Sequence, residues 1–400
     1  MTVSPGDRPP ARAATISDVA ALAGVSPGTA SKALNGRGRL RPETRERVLD
    51  AARKLSFRPN EMARSLLSGR SYTVGLVTTD SVGRFSLPVL LGAENALGAG
   101  RLSVFLCDTR GDQIREQHYV RSLLDRRIDG LIVTGRRTDP RPPLDLPAPV
   151  PTVYTLGPST DPRDVSLVPD DAGGARLVVR HLLATGRRRI AHVTGPAHHS
   201  AAAVRAEHAV AELAAAGYEL SGGAVQFGEW TEAWGRQAAL IALRADPDVD
   251  ALFCGNDQIA RGAADALRES GRRVPDDVAL AGYDNWETMA EACRPPLTTV
   301  DMNLSELGRT AALRLMAAID GRPASGVETL PCRLVIREST GVPAGPPRSG
   351  GSSGAPAGPP AARSSEPSPT VSPRAAGSSQ PPPGPSHGSS SEAAPGFPGG

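Results

Sequence analysis

The sequence has few cysteines and no long apolar run. Cys107, Cys254, Cys293 and Cys332 lie far apart in 400 residues, without a Cys-x-x-Cys pair, which argues against a disulfide framework and a structural zinc site. No apolar run approaches the ~18 residues of a membrane span, and the first residues lack the apolar segment of a secretory signal. We therefore expect a cytoplasmic protein without a membrane partner.

The short motifs of common enzymes are also absent from the sequence. It contains no Gly-x-Ser-x-Gly nucleophile elbow, no Walker phosphate loop and no Gly-x-Gly-x-x-Gly after an expected strand. His198 and His199 are adjacent, so their rings do not easily converge on one metal ion, and no spaced Cys or His lies nearby. We expect no enzymatic activity, no cofactor and no metal site.

Charge and composition divide the chain into unlike parts. Residues 1–70 carry 13 Lys and Arg against 6 Asp and Glu, a net of +7 in a chain whose total is +3. A basic module of this kind favours a polyanion, such as nucleic acid, as its partner. Residues 341–400 hold 15 Pro, 12 Gly, 13 Ser and 9 Ala, which offer too little apolar surface to offset chain entropy. We expect this tail and residues 1–14 to be disordered.

Residues 15–59 show the pattern of a helix-turn-helix domain. Apolar residues recur at helical spacing in three segments, and the last segment runs from Pro42 to about Leu55. The signals that start and stop the first two helices are the capping-box pair Thr15 and Asp18, the helix-ending Gly24, and the N-cap and first-turn pair Ser26 and Pro27. Two short helices joined by a tight turn place the second helix in the major groove of DNA.

From residue 73 onward, short apolar runs alternate with helical stretches, as is typical of parallel sheets flanked by helices. Strands are expected at 73–79, 102–107, 128–134, 189–194, 249–255 and 278–284, with closing strands in 327–338, and helices at 87–99, 113–127, 201–216, 232–244, 258–270 and 304–320. The length suits two lobes, with crossings near 161–171 and 298–330. Polar residues follow several strands, at the edge where such sheets bind ligands; they are Asp80, Asp108, Asn256, Asp257 and Asp284.

Three stretches resemble the LacI/GalR family of bacterial transcriptional regulators. The first is TISDVAALAGVSPGTASKALNGRGRLRPETRERVLDAARKLSFRPNEMARSLLSGRSYTVGLV, and the others are GNDQIARGAADALRESGRRVPDDVALAGYDN and PPLTTVDMNLSELGRTAA. The resemblance implies an α/β chain with a three-helix helix-turn-helix domain over 15–59 and a hinge helix or linker over 60–71. Two Rossmann-like parallel α/β subdomains over 72–340 would follow, in the periplasmic binding protein-like type I fold, as an effector-binding and dimerisation core.

Position by position, the resemblance implies a set of DNA contacts. Ser26, Thr29, Ser31 and Asn35 match residues that touch the DNA backbone, and Pro27, Gly28 and Lys32 match residues that read bases. Direct readout then depends on Lys32, because Pro27 and Gly28 carry no side-chain donor or acceptor. In the hinge, Asn60, Ala63 and Leu66 are the matched positions; Leu66 would wedge into the minor groove, or else belong to the core. Arg41 stands where the family often has a capping Ser or Thr.

The resemblance also implies an effector site, formed by Phe85, Ser86, Arg205, Trp230, Asn256 and Asp284. Their donors and acceptors suit vicinal hydroxyls, and Trp230 suits the apolar face of a sugar ring. Three alternatives remain open: Trp230 as a half-buried cover residue, Asp284 as a helix cap, and Arg205 paired with Glu207 or Glu212 on a solvated face. The chain departs from the family in three places: Gly83-Arg84 replaces a common Asn-Pro, Ser86 replaces an aromatic residue, and Leu156 replaces an Asp.

These patterns predict a homodimeric repressor of carbohydrate-related genes. A small sugar-like effector would release it from a palindromic operator in double-stranded DNA, since two-fold protein symmetry matches two half-sites. One alternative is a periplasmic-type sugar-binding protein of transport, which would need a secretory signal. Another is a regulator that responds to a partner protein instead of a small ligand.

Overall fold

The computed structural model describes residues 14–34, 38–57, 70–98 and 102–341. The expectations for the N-terminal segment up to residue 13, for Asn35, for the hinge residues Asn60, Ala63 and Leu66, and for the tail from residue 342 lie outside this part of the chain.

The described elements follow the expected order of helices and then alternating strands and helices. The helices are α1 (Ile16–Ala23), α2 (Pro27–Leu34), α3 (Pro42–Lys54), α4 (Ser86–Leu97), α5 (Gln113–Asp125), α6 (Asp171–Ala184), α7 (Ser200–Ala215), α8 (Glu232–Ala245), α9 (Asp257–Glu269), α10 (Glu287–Ala290) and α11 (Leu304–Ile319). The strands are β1 (Thr73–Thr78), β2 (Ser103–Asp108), β3 (Gly130–Thr134), β4 (Thr152–Thr155), β5 (Val165–Pro169), β6 (Ile190–Thr194), β7 (Gln226–Phe227), β8 (Ala251–Cys254), β9 (Ala279–Tyr283), β10 (Thr298–Asp301), β11 (Gly326–Leu330) and β12 (Arg333–Val335).

The N-terminal helices begin and end at the residues that the sequence indicated. Thr15 Oγ1 accepts from the Asp18 N–H at 3.3 Å, and Asp18 Oδ2 accepts from the Thr15 N–H at 2.7 Å, which completes the capping box. Gly24 ends α1 with φ at +65°, a conformation that glycine adopts without steric cost. Ser26 Oγ caps α2 by accepting from the Thr29 N–H at 3.1 Å. Arg41 makes no side-chain cap bond at the start of α3.

Small buried side chains hold these three helices together. Val19 and Ala20 of α1, Ala30 and Ala33 of α2 and Val48 of α3 are at most 3% exposed. Alanine at the contacts lets short helices approach closely, and the remaining face of α2 stays available to solvent.

The rest of the described chain is built around two six-stranded sheets. Each sheet, together with the helices that pack on it, is called a lobe, the first lobe and the second lobe. The strand order is β11-β5-β4-β3-β1-β2 in the first lobe and β12-β10-β9-β8-β6-β7 in the second. All pairings are parallel except that of β12 with β10. On β1, Val74 and Leu76 pack toward α4 and α11, whereas Val77 packs toward α5. Both faces of β1 carry apolar side chains because helices cover the sheet on both sides.

The chain passes between the lobes three times in the described part. It leaves the first lobe after β5 and enters α6, returns after β10 through α11, and leaves again between β11 and β12. The closing strands β11 and β12 lie where the sequence predicts them, whereas six elements have no counterpart among the expected ones; they are β4, β5, α6, β7, β10 and α10. Residues 161–171, expected as a connection, contain β5, because a strand of five residues beside Pro and Asp gives little periodic signal.

Candidate functional site

The outer face of α2 is the candidate DNA-reading surface. Ser26, Pro27, Gly28 and Lys32 are exposed there, and Thr29 and Ser31 are half-buried. The Ser26 and Thr29 hydroxyl oxygens lie 2.9 Å apart and can share a hydrogen bond. Lys32 forms no ion pair with any residue that the structure describes, so its ammonium is available to a partner outside the protein. The predicted DNA contacts within the described chain therefore share one surface.

A cavity of about 440 Å³ lies between the two lobes, beyond the carboxyl ends of their strands. It has the place in the fold that doubly wound sheets use for ligands, and its volume suits a small molecule. Five of the predicted effector residues line it; they are Phe85, Arg205, Trp230, Asn256 and Asp284. The structure thus brings together side chains that lie up to 199 positions apart in the sequence.

Arg205 projects from α7 into the base of the cavity and is 3% exposed. Its Nε donates to Asp171 Oδ1 at 2.9 Å, its Nη1 donates to the Gly255 carbonyl at 2.6 Å, and its guanidinium carbon lies 3.5 Å from the centroid of the Tyr283 ring. A pairing of Arg205 with Glu207 or Glu212 on a solvated face is therefore wrong. Glu212 instead accepts from Arg180 at 2.6 Å.

Asp284 and Asn256 come from neighbouring strand ends of the second lobe. The Asp284 side chain is 6% exposed and lies in an ion pair with Arg84, with Arg205 Nη1 at 3.8 Å. It does not cap the following helix, because the N-cap of α10 is Trp286. Asn256 Oδ1 accepts from the Ile259 N–H at 2.8 Å and so caps α9. Its amide nitrogen has no partner within the described chain and remains as a donor for the cavity.

Phe85 and Ser86 lie together at the start of α4 but serve different purposes. The Asp80 carboxylate accepts from the Phe85 N–H at 2.7 Å and from the Ser86 N–H at 2.9 Å, which favours a helix N-terminus electrostatically. Phe85 lines the cavity. Ser86 is 1% exposed, with its hydroxyl 3.2 Å from Asp80, and is absent from the cavity lining. Its predicted place in the effector site is therefore wrong: the side chain is buried against Asp80 instead of lining the cavity.

Trp230 is half-buried at the second-lobe wall, where its ring packs on Gly195. Its Nε1 donates to His199 Nδ1 at 2.8 Å, which satisfies its polar edge. Across the cleft, Arg137 Nη1 of the first lobe lies 3.0 Å from His199 Nε2, and Asp139 Oδ1 accepts from the Ser200 N–H at 2.8 Å. The lobes therefore touch at this side of the cavity as well as at Arg84.

Three further residues that line the cavity are not among the predicted effector residues. They are Arg84, which departs from the family, Gln258 and Trp286. Trp286 lies three residues beyond the end of β9 at Tyr283. Ligands bind beyond the carboxyl ends of strands in such sheets, so this position is a sequence signal for Trp286. Gln258 lies within α9 and carries no such signal.

The described chain also lacks two kinds of feature. It contains no group of three or more His, Cys, Asp or Glu side chains placed to hold a metal ion. Among the described residues, no helix combines the length and the apolarity that a membrane crossing needs.

Comparison with known proteins finds a family match for the helix-turn-helix segment and another for the C-terminal half of the two-lobed core. Residues 15–60 match the family described as bacterial regulatory proteins, lacI family, and residues 179–340 match the periplasmic binding protein-like domain. The HTH-type transcriptional regulator CelR of Thermobifida fusca is 37% identical over 337 residues, which cover 82% of this chain and 98% of that protein. The ribose operon repressor of Escherichia coli (strain K12) is 33% identical over 74% of this chain and 91% of its own length.

Solved structures of similar proteins cover about the same share of this chain as these relatives do. A complex of the transcriptional regulator CelR with cellobiose has a TM-score of 0.57 at 33% identity and covers 82% of this chain and 99% of that one. The lac repressor dimer bound to operator and the anti-inducer ONPF has a TM-score of 0.64 at 28% identity, with coverage of 83% and 100%. The helix-turn-helix, the two-lobed periplasmic-binding-protein-like core and these full-length matches together show that the chain belongs to the lacI family of bacterial regulatory proteins.

Proposed function

We propose that this protein is a transcriptional repressor that binds a palindromic operator as a homodimer and leaves it when a neutral sugar-like effector enters the cleft. The observation that carries the proposal is the union, in one chain, of a helix-turn-helix surface and an interlobe cavity lined by buried polar groups. Relatives named as a transcriptional regulator and a ribose operon repressor support the same function.

The DNA-binding half of the proposal depends on α2. Its exposed face carries Ser26, Thr29 and Ser31 for phosphate contacts, while Lys32 donates to guanine edges in the major groove. Asn35, which follows Leu34 in the sequence, and Asn60, Ala63 and Leu66 of the hinge segment complete the proposed contacts. The surplus of +7 over residues 1–70 adds a salt-dependent attraction to any duplex.

The effector half depends on the cavity lining. Asp284 offers a buried carboxylate to ligand hydroxyls, the Asn256 amide nitrogen offers a donor, and Trp230 and Phe85 offer aromatic faces. Arg205 already bonds Asp171 and Gly255, so its main role is to hold the base of the site and to place a positive charge beside Asp284. This donor, acceptor and ring set suits a hydroxylated ring better than a flat base.

Dimerisation would connect the cleft to the DNA. The lac repressor has been solved as a dimer bound to operator, and the CelR complex contains cellobiose. In this chain, movement of the lobes would move the two hinge segments, one per subunit. The family resemblance implies a short helix there, and a helix of that length is marginally stable alone and therefore easily formed or melted. Effector and DNA must then favour different lobe arrangements.

The other expectations follow from this function. We propose no enzymatic activity, because the cavity residues bind and position without an activated nucleophile, and a site of action at the nucleoid in the cytoplasm, where the operator is. The transport alternative does not explain the lacI-family match at residues 15–60. Regulation by a partner protein is the second candidate, since Arg84, which departs from the family, lines the cavity.

Gel-shift titrations against fragments of the source genome test the DNA half. Lys32→Ala should weaken binding to the recovered operator by about tenfold or more, because it removes a donor to the base edges. The matched control is Lys54→Ala, which removes the same charge from α3, where Lys54 pairs with Asp50 at 3.0 Å. Equal losses in the two variants would mean that Lys32 contributes only general charge.

A thermal-shift screen of neutral sugars, with cellobiose and ribose in the set, tests the effector half. Asp284→Asn should abolish the stabilisation seen with the parent, because it removes the buried acceptor, while Asn still tolerates the φ of +100° at this position. Asp265→Asn, which removes a carboxylate paired with Arg268 on α9, should respond like the parent. An undiminished response in Asp284→Asn would remove Asp284 from the site, and no response in the parent would favour the partner-protein alternative.

A further inference from the structure

Arg84 reaches across the cleft from the first lobe to the second. It lies in the loop between β1 and α4, and its guanidinium forms an ion pair with Asp284. Its Nη1 donates to Gln258 Oε1 on α9 at 3.2 Å. The Arg84 side chain is 10% exposed, so these contacts lie inside the cavity. A single first-lobe side chain therefore holds two groups of the second lobe.

The same guanidinium also covers two aromatic rings, one from each lobe. Its central carbon lies 4.8 Å from the centroid of the Phe85 ring and 4.7 Å from that of the Trp286 ring. A planar cation is attracted to the face of such rings. Aromatic faces are also the surfaces on which a sugar ring would stack, so Arg84 occupies space that the proposed effector needs.

The position of Arg84 does not satisfy all of its donors. Its Nε is buried without a hydrogen-bond partner in the described chain. Burial lowers the pKa of Arg84 to about 10, against the attraction of Asp257 and Asp80, which raises it. A buried donor that lacks a partner has lost its hydration without compensation, so a fully bonded ligand can replace this side chain.

We propose that Arg84 is a built-in occupant of the effector site, which joins the lobes and which an effector must displace from Asp284 and the aromatic pair Phe85 and Trp286. The identity of the ligand in this inference rests on the proposed function. The interlobe contacts of Arg84 with Asp284 and Gln258, which we call the latch, rest on the geometry of the cleft. Arg84 and a sugar ring compete for the same carboxylate and the same ring faces, so the lobes are joined either through Arg84 or through the effector, in two different arrangements.

Displacement of Arg84 also determines which ligands bind. Once Arg84 has left, the nearest remaining cation to Asp284 is Arg205, with its Nη1 at 3.8 Å. A replacement must therefore donate hydrogen bonds to a buried carboxylate and present a flat apolar face. A neutral sugar does both, whereas an acidic sugar would bring a second negative charge beside Asp284. The Asp284 carboxylate that Arg84 leaves behind thus selects neutral over acidic rings.

Hydrogen–deuterium exchange of the full-length, ligand-free protein tests the latch. The Ser200 N–H donates across the cleft to Asp139 at a point away from Arg84, so its exchange reports separation of the lobes. Arg84→Ala should speed exchange around Ser200 severalfold, and Arg84→Lys, which keeps the charge without the planar face, should have a smaller effect. Arg121→Ala, which removes an exposed arginine of α5, should match the parent. Unchanged exchange in Arg84→Ala would overturn the latch.

Titration with cellobiose, or with the neutral sugar that stabilises the parent in the screen, tests the competition. Arg84→Ala should bind that sugar about tenfold more tightly than the parent, and glucuronate should bind the parent less tightly than the neutral sugar. A loss of sugar binding in Arg84→Ala would show that Arg84 is a ligand contact and would overturn displacement. If no sugar binds the parent, the proposed effector class fails, whereas the exchange at Ser200 still decides whether Arg84 closes the lobes.

Discussion

At the scale of single residues, Asp257 supports the cleft from inside the second lobe. It is fully buried, and its carboxylate accepts from the Trp286 N–H at 2.7 Å and from the Thr299 hydroxyl at 2.6 Å. Burial raises the pKa of Asp257 to about 6, against the lowering effect of those two hydrogen bonds. The residue therefore holds its proton more tightly in the folded protein than in the unfolded chain.

This raised pKa predicts a pH dependence of stability with a definite sign. From about pH 4 to about pH 6, folded Asp257 retains a proton that the unfolded chain releases, so its contribution to the free energy of unfolding falls as the pH rises. Asp257→Asn removes this dependence, and the variant should gain stability relative to the parent across that interval. Urea unfolding at several pH values measures the difference; a difference that does not change with pH would contradict the prediction.

A second buried group, His192, also makes stability depend on pH, so the effect of Asp257 is visible only when the parent is compared with Asp257→Asn. It is buried with its ring stacked on Phe253 at 4.4 Å, and burial lowers its pKa to about 4. The stability that depends on neutral His192 is therefore lost as the pH falls below the ordinary value of 6.5 towards 4. This sign is opposite to that of Asp257 over nearly the same interval, so the pH curve of the parent alone mixes the two.

At the scale of elements, each lobe contains a pair of helices that meet through glycine. A Cβ on Gly92 of α4 or on Gly308 of α11 would overlap a backbone carbonyl oxygen of the opposite helix. In the second lobe, Gly235 of α8 and Gly262 of α9 meet the facing backbone in the same way. The absence of a side chain at these crossings lets the helices approach closely and pack as one layer on each sheet.

Gly308→Ala should destabilise the protein by about 1–3 kcal/mol, because the new methyl group overlaps a backbone atom that cannot rotate away. This overlap outweighs the gain of about 1 kcal/mol that alanine brings to a helix. Gly135→Ala is the control, since its Cβ would meet nothing closer than Thr79 Oγ1 at 3.5 Å, and it should change stability by no more than about 0.5 kcal/mol. Urea midpoints at a common slope measure both; equal midpoints would mean that α4 and α11 separate without cost.

At the scale of the whole molecule, three connections join two lobes around one cavity. Each lobe has its own parallel sheet, so the lobes can move as units about the connections at β5–α6, β10–α11 and β11–β12. A ligand in the cavity contacts both units and so changes their separation. If the hinges read that separation, effector and operator must alter each other's affinity by the same factor.

Local signals explain why much of the architecture was predictable. Capping residues at Thr15, Gly24 and Ser26 set the first helices, and alternation of apolar runs with amphipathic stretches set the parallel α/β class. Strands β4, β5 and β10 escaped because four or five buried residues have no period that distinguishes them from a connection. The burial of Ser86 against Asp80 is not predictable in this way, because its sequence position beside Phe85 does not reveal which way a helix start turns its side chains.

The amino-acid sequence by itself determined the helix starts and stops, the basic N-terminal module, the strand–helix alternation and the family, because each of these depends on neighbouring residues or on a recurring motif. Only the tertiary structure decided that Arg205 bonds Asp171 instead of a surface glutamate, and that Arg84 reaches Asp284, 200 positions later in the chain. Contacts of this kind depend on how two separately folded sheets face each other, and no local pattern of residues encodes that distance.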